Sequence, residues 1–521
     1  MKSISDWASA FPVNDRPWLL LGKGPSFSRF EPGMSESFHL MGLNHVSRGT
    51  PVTLAHFIDL DAFVACVPEI LGTARWVVIP WHPHEGFAPS RKTLADCVRE
   101  VPALETLESD GRVLTYNLST AKGLDTLQGA PLIEAKFFSA EAGLNVLAAA
   151  GVRTVRSLGV DGGTDYASQF GDLASRTRLA NGHKTFDLQF QGIARTIRRT
   201  GIQYAPLYVD SPARVFVGAD PTQELPFRVL EFSTKKFATL SVEFGRIDNE
   251  GLKVPSDPSN RSRTGFSFSR FRIPRLCGYT GRAIYLDADM QVFGDLMELW
   301  TRPFDGASML YAEHDSADGR IPQYSVLLLD CEALDWDPDA IIDGLDSGRF
   351  TYESLMYDFA LVPADKRRPG LPNEWNSLER YVPGETRLLH YTDMPTQPWV
   401  NRRNRYADVW LGDLREALVE GFISEEFLFD QIERGHVSPE LPDWLGIDAP
   451  VRIRNRIAGW EPPYRRFAGT ATAARFAEAV PEPAVAGSPL APPSSGQPAL
   501  RRRMVALGRI FDRLRGSKDF R

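Results

Sequence analysis

Short apolar runs that stop at a glycine or an aspartate and then give way to helical periodicity recur along most of this chain, and that alternation confines it to an α/β architecture. The first is WLLLGKGPSFSRF, an apolar strand over Trp18–Leu21 followed by Gly22, Gly24, Pro25 and Ser26. FIDLDAF and RWVVIPW come next, then the amphipathic AEAGLNVLAAAG, which ends at a glycine and leads into VRTVRSLGVDGG. Strands alternating with helices predict a doubly wound, Rossmann-like layer. A second start comes at ARVFVGADPTQELPFRVLEFSTKKF and continues through TLSVEFGRI, FRIPRLCGYTGRAIYLDADM and QYSVLLLDCEAL. A chain of 521 residues, 43% of them hydrophobic, can bury two such cores. The expected division is a first domain over 1–210 and a second over 211–450. The stretch 451–498, rich in Pro and Ala, reads as a linker unable to bury enough to fold. In 499–521, Leu500, Met504, Leu507, Phe511 and Leu514 share one stripe of a basic amphipathic helix.

Composition narrows the function. A net charge of -7 argues against a nucleic-acid-binding chain, because neutralising phosphates needs a basic face. Cys66, Cys97, Cys277 and Cys331 are scattered without zinc spacing and read as core thiols of a reducing compartment. The opening MKSISDWASAFPVNDRPW has no apolar signal region, and no stretch of roughly 20 uncharged apolar residues could span a bilayer. The expected location is cytoplasmic. The C-terminal basic helix would contact anionic lipid at the inner face of the membrane, or else dock back on the protein.

The chemistry concentrates in AIYLDADM, where Asp287 and Asp289 flank Ala288. On a strand both carboxylates point to one side, which makes a cation site or a proton-transfer site. Spacing alone does not single them out. Asp59 and Asp61 share it, as do Asp335, Asp337 and Asp339, and the ordinary meaning of such a pair is a solvated turn or a helix cap.

The longer string YLDADMQVFGDLMELW, preceded by IPRLCGYTGRA, resembles glycosyltransferase family 8, which includes glycogenin and bacterial lipooligosaccharide galactosyltransferases. VFVGADPTQELPFRVLEFS resembles that family's opening strand and helix, and LLHYTDMPTQPW its closing segment, so the likeness runs from about Val215 to Trp399. It implies a GT-A fold and sugar transfer from a UDP-sugar with retention of configuration. The acceptor by family habit is a cell-surface glycan or glycolipid. It implies Asp287, Asp289 and His390 as ligands of a divalent ion, manganese or alternatively magnesium, that stabilises the leaving diphosphate. Gly218, Asp220, Gln223, Tyr285 and Trp399 are then candidate nucleotide or substrate contacts. Glu353 is a candidate sugar-contacting carboxylate, with a plain surface glutamate as the other reading. Glu374, Trp375 and Asn376 form a polar-aromatic cluster suited to a sugar ring, or else a capped helix start over a buried tryptophan. The family's N-S-G and Asp-Gln segments are replaced by Gln323-Tyr324-Ser325 and Tyr352-Glu353-Ser354, so donor sugar and acceptor do not carry over. Two rival functions stay open: a nucleotide-sugar-binding protein without transfer, and a metal-dependent phosphotransferase or pyrophosphatase.

In the first segment, LLLGKGPSF sets glycines directly after a strand, where backbone N–H groups could approach a phosphate. Together with MGLNHV, AEAGLNVLAAAG and LGVDGGTDY it resembles family 42 sialyltransferase-like and MptE-like (DUF115) domains. That likeness implies Gly22, Gly24, Ser26, Asn44 and Asp161 as contacts around nucleotide phosphates. WHPHEG offers His82 or His84 as a base, or a surface loop. A second transferase, a nucleotide-binding relic and a recognition module all fit this segment.

Overall fold

The computed structural model describes residues 1–313, 324–457 and 459–463. Gln323, most of the Pro/Ala-rich stretch and the amphipathic stripe of 499–521 lie outside the described residues.

The first sheet is built from β1 (Lys2–Ser3), β2 (Trp18–Leu21), β3 (His39–Leu43), β4 (Val52–His56), β5 (Ala74–Pro80), β8 (Val113–Leu118), β9 (Leu132–Ile133), β10 (Thr154–Leu158) and β11 (Gln203–Pro206); a separate hairpin, β6 (His84–Glu85) and β7 (Ala88–Pro89), follows β5. Its spatial order is β1-β8-β5-β4-β3-β2-β10-β11 with β9 beside β8, and every pairing in it is parallel. β2 shows why the run WLLL is continuous rather than alternating. Trp18 and Leu20 pack into one core with Ile4, Leu144 and Ile193, while Leu19 and Leu21 pack into the other with Phe63, Leu94 and Leu104. A parallel strand covered by helices on both faces needs apolar residues on both. The order reverses between β2 and β10: strands after β2 extend the sheet one way, and β10 and β11 extend it the other.

The second sheet contains β12 (Ala213–Gly218), β13 (Val242–Ile247), β14 (Arg282–Asp287), β16 (Met309–Ala312), β17 (Val326–Asp330) and β18 (Arg367–Leu371), in the order β13-β12-β14-β17-β16-β18. β12 runs parallel to both β13 and β14, and β17 is antiparallel to β14. A small third sheet, β15 (Met290–Val292), β20 (Leu388–His390) and β19 (Ser377–Leu378), is entered directly from β14. Helices Ala407–Val419 and Glu425–Glu433 close the structure around Trp399, Trp410 and Phe232. The short helix Val451–Arg454 follows, with Ile453 buried in the same core, so the chain is still packed where the linker was expected to begin. Both main sheets lie in one compact unit. Arg198 on helix Leu188–Thr200 reaches across to Glu420 through two hydrogen bonds, of 2.9 and 2.8 Å.

Candidate metal centre

β14 ends at Asp287, whose register partner on β12 is Gly218. The chain bends at Ala288, which is fully buried and donates its N–H to the Gly218 carbonyl at 3.2 Å, and only then enters β15. The two aspartates therefore do not share a continuous strand, as the pattern predicts. They converge from the bend at which the chain leaves one sheet for another. β20 pairs antiparallel with β15, setting His390 opposite Met290, and the Tyr391 N–H donates to the Asp289 carbonyl at 2.8 Å. One oxygen of each aspartate and a ring nitrogen of His390 consequently all lie within 4.8 Å of one another.

Each of these side chains is held from behind. Tyr285, one turn of the pleat before Asp287 and fully buried, donates its hydroxyl to Asp287 Oδ1 at 2.6 Å and accepts from Arg270 Nη2 at 3.0 Å. Arg270 Nη2 is itself 3.6 Å from the same carboxylate oxygen. His390 Nε2 lies 3.1 Å from Asp289 Oδ1, and its Nδ1 lies 3.3 Å from Asn376 Oδ1. Gln397 Nε2 donates to the other oxygen of Asp289 at 3.1 Å and to the Tyr391 carbonyl at 2.8 Å. Burial opposes charge on His390, but Asp289, Asp287 and Glu379 outweigh it and hold its pKa above the ordinary imidazole value. Burial also raises Glu379, which accepts the Asp393 N–H at 2.8 Å.

Several residues expected at the substrate have other duties. Tyr285 is enclosed and orients Asp287, so it is not a substrate contact. Trp375 and Trp399 are fully buried: Trp375 donates to Glu298 at 3.1 Å and Trp399 packs on Trp410 and Tyr391. Neither ring can stack on a sugar, and PNEWNSLERY begins with a short turn, Asn373–Trp375, over the buried tryptophan, without the side-chain cap that the other reading expected. Its Asn376 turns inward to His390, while Glu374 is exposed. Asp220 and Gln223 form a reciprocal cap on the short turn Pro221–Gln223, with Asp220 Oδ1 accepting the Thr222 N–H at 2.9 Å, and that turn leads into helix Glu224–Phe237. Gly218 is required by crowding, since a Cβ there would sit 2.4 Å from the Tyr285 hydroxyl. Glu353 is exposed and ion-paired with Arg263. Arg270, Gln397 and Glu379 are not singled out by the sequence. Each is one polar residue in a mixed stretch, and no periodicity separates it from surface neighbours.

In the first sheet the turns after β2 and β10 cross at the reversal point. A Cβ on Gly22 would lie 2.2 Å from the Gly159 carbonyl oxygen, and one on Gly159 equally close to that of Gly22. Gly22, Gly24, Asn44 and Asp161 border a cavity of about 630 Å³ at the carboxyl ends of the strands, and Ser26 does not. Three N–H groups of the turn are engaged within the protein rather than presented to a phosphate. Gly22 donates to the Leu158 carbonyl at 2.9 Å, Gly24 to that of Gly159 at 2.7 Å, and Ser26 to Asp161 Oδ2 at 2.7 Å. His82 is buried, its ring nitrogens engaged by Ser90, Lys92 and Asp125, whereas His84 lines the cavity.

Residues 219–333 match the family model described as Glycosyl transferase family 8, so this part of the chain carries a family 8 domain. The chain is 25% identical over 235 residues to Protein CDI of Arabidopsis thaliana, covering 39% of this chain and 87% of that protein. Among solved structures, the apo structure of the bifunctional glycosyltransferase WbbM aligns at 12% identity with a TM-score of 0.31, covering 40% of this chain and half of that one. Galactosyltransferase LgtC in complex with donor and acceptor sugar analogues aligns at 13% identity with a TM-score of 0.29, covering 43% of this chain and all of that one. The family match lies wholly outside the first sheet, so the likeness read there to family 42 and DUF115 domains gains no support from it.

Proposed function

We propose that the chain is a metal-dependent glycosyltransferase that moves a sugar from a UDP-sugar to a hydroxyl of a glycan or glycolipid, with retention of configuration. The observation that carries this reading is the meeting of Asp287, Asp289 and His390 inside a family 8 segment. The donor set fits a divalent ion such as manganese, because two carboxylate oxygens and one imidazole nitrogen suit it better than the all-oxygen shells of calcium and magnesium. Buried Asn376 Nδ2 and Gln397 Oε1, on the two side chains that steady His390 and Asp289, have no hydrogen-bond partner among the described residues. Unspent polar capacity beside a ligand set is what an incoming polar group would use. Asp287, Asp289 and His390 would hold the ion, which neutralises charge developing on a leaving diphosphate.

The protein's own part is positioning. Tyr285 and Arg270 fix the direction of Asp287 Oδ1, and Asn376 turns His390 so that Nε2 faces Asp289. Gln397 pins the second oxygen of Asp289. These supports hold three side chains from two sheets in one place before substrate arrives, which removes the entropy of assembling them during the reaction.

The test is a manganese-dependent screen of UDP-, GDP- and CMP-sugars by product nucleotide release, with manganese binding measured in parallel by calorimetry. The expected result is turnover of a UDP-sugar that Asp289→Asn loses together with manganese affinity, and a retained anomer in the product by NMR. Manganese binding without turnover of any sugar nucleotide would favour a binding protein. Phosphate release from nucleotides lacking a sugar would replace transfer with hydrolysis.

A further inference from the structure

The cavity at the crossing of β2 and β10 shares no residue with the carboxylate–histidine centre and has its own chemistry. It sits outside the carboxyl ends of parallel strands at the point where strand order reverses, the position at which open α/β sheets leave a crevice for ligands. With the N–H groups of Gly22, Gly24 and Ser26 spent inside the protein, recognition rests mainly on side chains, and three features of the wall are unbalanced.

Lys23 is the first. Its half-buried ammonium donates to Thr177 Oγ1 at 3.3 Å and lies 4.4 Å above the ring of Tyr166, and among the described residues no carboxylate oxygen comes within 4.0 Å of it. Burial pushes its pKa down to about 8, against the weaker upward pull of Cys66 and Asp59. A cation withdrawn from water without an anion beside it is costly, and a bound anion would relieve that cost. The second is a group of half-buried rings, with Phe138 5.4 Å from Phe186 and Tyr166 5.7 Å from Phe186 in a near-parallel stack, that leaves apolar faces on the cavity. The third is Asn44, held at φ 51°, which donates to Ser139 Oγ at 3.0 Å while its own buried Oδ1 has no partner among the described residues. An anion for Lys23, a ring for the aromatic wall and a donor for Asn44 describe one kind of molecule.

We propose that this cavity is a second small-molecule site whose ligand is a ring-bearing phosphate ester, its phosphate against Lys23 and its ring against Phe138, Tyr166 and Phe186. The proposal stands whether or not the other centre transfers sugar, because the two sites have no group in common.

The experiment is isothermal calorimetry on the full chain in EDTA, so that the other centre is silenced, with UMP, AMP, glucose 6-phosphate and inorganic phosphate as probes. At least one ester is expected to bind at least about tenfold more tightly than inorganic phosphate. UMP or AMP binding more tightly than glucose 6-phosphate would identify a planar base as the ring, and the reverse order a sugar. Lys23→Met and Phe138→Ala should each weaken that ester about tenfold or more, with Lys23→Arg retaining most of the affinity and reporting that the turn still folds. Asp289→Asn should bind like the wild type. The proposal is overturned if no ester binds at millimolar concentration, if Lys23→Met leaves affinity unchanged, or if Asp289→Asn abolishes binding.

Discussion

Asp59 heads the helix Leu60–Val64 on the cavity wall, 3.9 Å from His84. Burial pushes His84 down to about 4, so at neutral pH it is uncharged and this contact is not an ion pair. Burial and the neighbouring Asp61, opposed by Lys23, raise Asp59 to about 6. The sign follows from linkage. A carboxyl that holds its proton more tightly when folded favours the native state below the unfolded value near 4, and the advantage disappears as pH rises through about 6. Replacing Asp59 with Asn, which never ionises, should leave stability unchanged at pH 4 and raise it by about 1–3 kcal/mol at pH 7.5. Urea denaturation of both proteins at the two pH values measures this, and equal stability at pH 7.5 would show that the carboxylate is adequately solvated.

Among the elements, the two crossing turns are the least tolerant of change. Gly22 and Gly159 approach so closely that a methyl group on either would meet the other's carbonyl, an arrangement that brings β2 and β10 together at the reversal point. Gly22→Ala is expected to cost about 3 kcal/mol or more, because the obstacle is backbone and cannot swing aside. Gly33, at φ -62° with no atom within 4 Å of the place a Cβ would take, is the control, and Gly33→Ala should stay within about 0.5 kcal/mol of wild type. Chemical denaturation of both variants makes the comparison. The bend at Ala288 illustrates the same principle at the candidate metal centre: three strands of two sheets must meet there before Asp287, Asp289 and His390 can.

At the scale of the whole molecule, the two sheets are joined partly by Arg198 and Glu420. Arg198 lowers the pKa of Glu420 through the hydrogen bonds to its carboxylate, so the contact's stabilisation is full above the unfolded value near 4.5 and is lost as pH falls from there through the lowered native-state value. Glu420 is about one-third exposed, and solvent screens the pair. A double-mutant cycle of Arg198→Ala and Glu420→Ala should give a coupling of about 0.5–1 kcal/mol at pH 7, smaller in high salt and declining as acid protonates Glu420. No helix among the described residues is long and apolar enough to cross a membrane.

The sequence by itself determined the α/β class, the places where strands end in glycine or aspartate, and the three polar residues that meet at the candidate metal centre. Each of these is written locally, in the apolar runs around Trp18–Leu21 and Ala283–Leu286 and in a motif whose residues are few and close. Tertiary structure alone decided what the remaining polar and aromatic residues do. Tyr285, Trp375 and Trp399 have the composition of substrate contacts, yet burial turns one into a support for Asp287 and the others into core. Gln397 and Asn376 join the centre because β15 and β20 pair, and Arg270 because the turn Ser269–Arg272 reaches Tyr285 and Asp287 at the end of β14. The GKGPS turn looks like a phosphate cradle, but the N–H groups of Gly22, Gly24 and Ser26 answer the carbonyls of Leu158 and Gly159 and the carboxylate of Asp161. Side-chain role depends on which groups arrive from elsewhere in the chain and on whether water can reach them, and neither is encoded within a short window of residues.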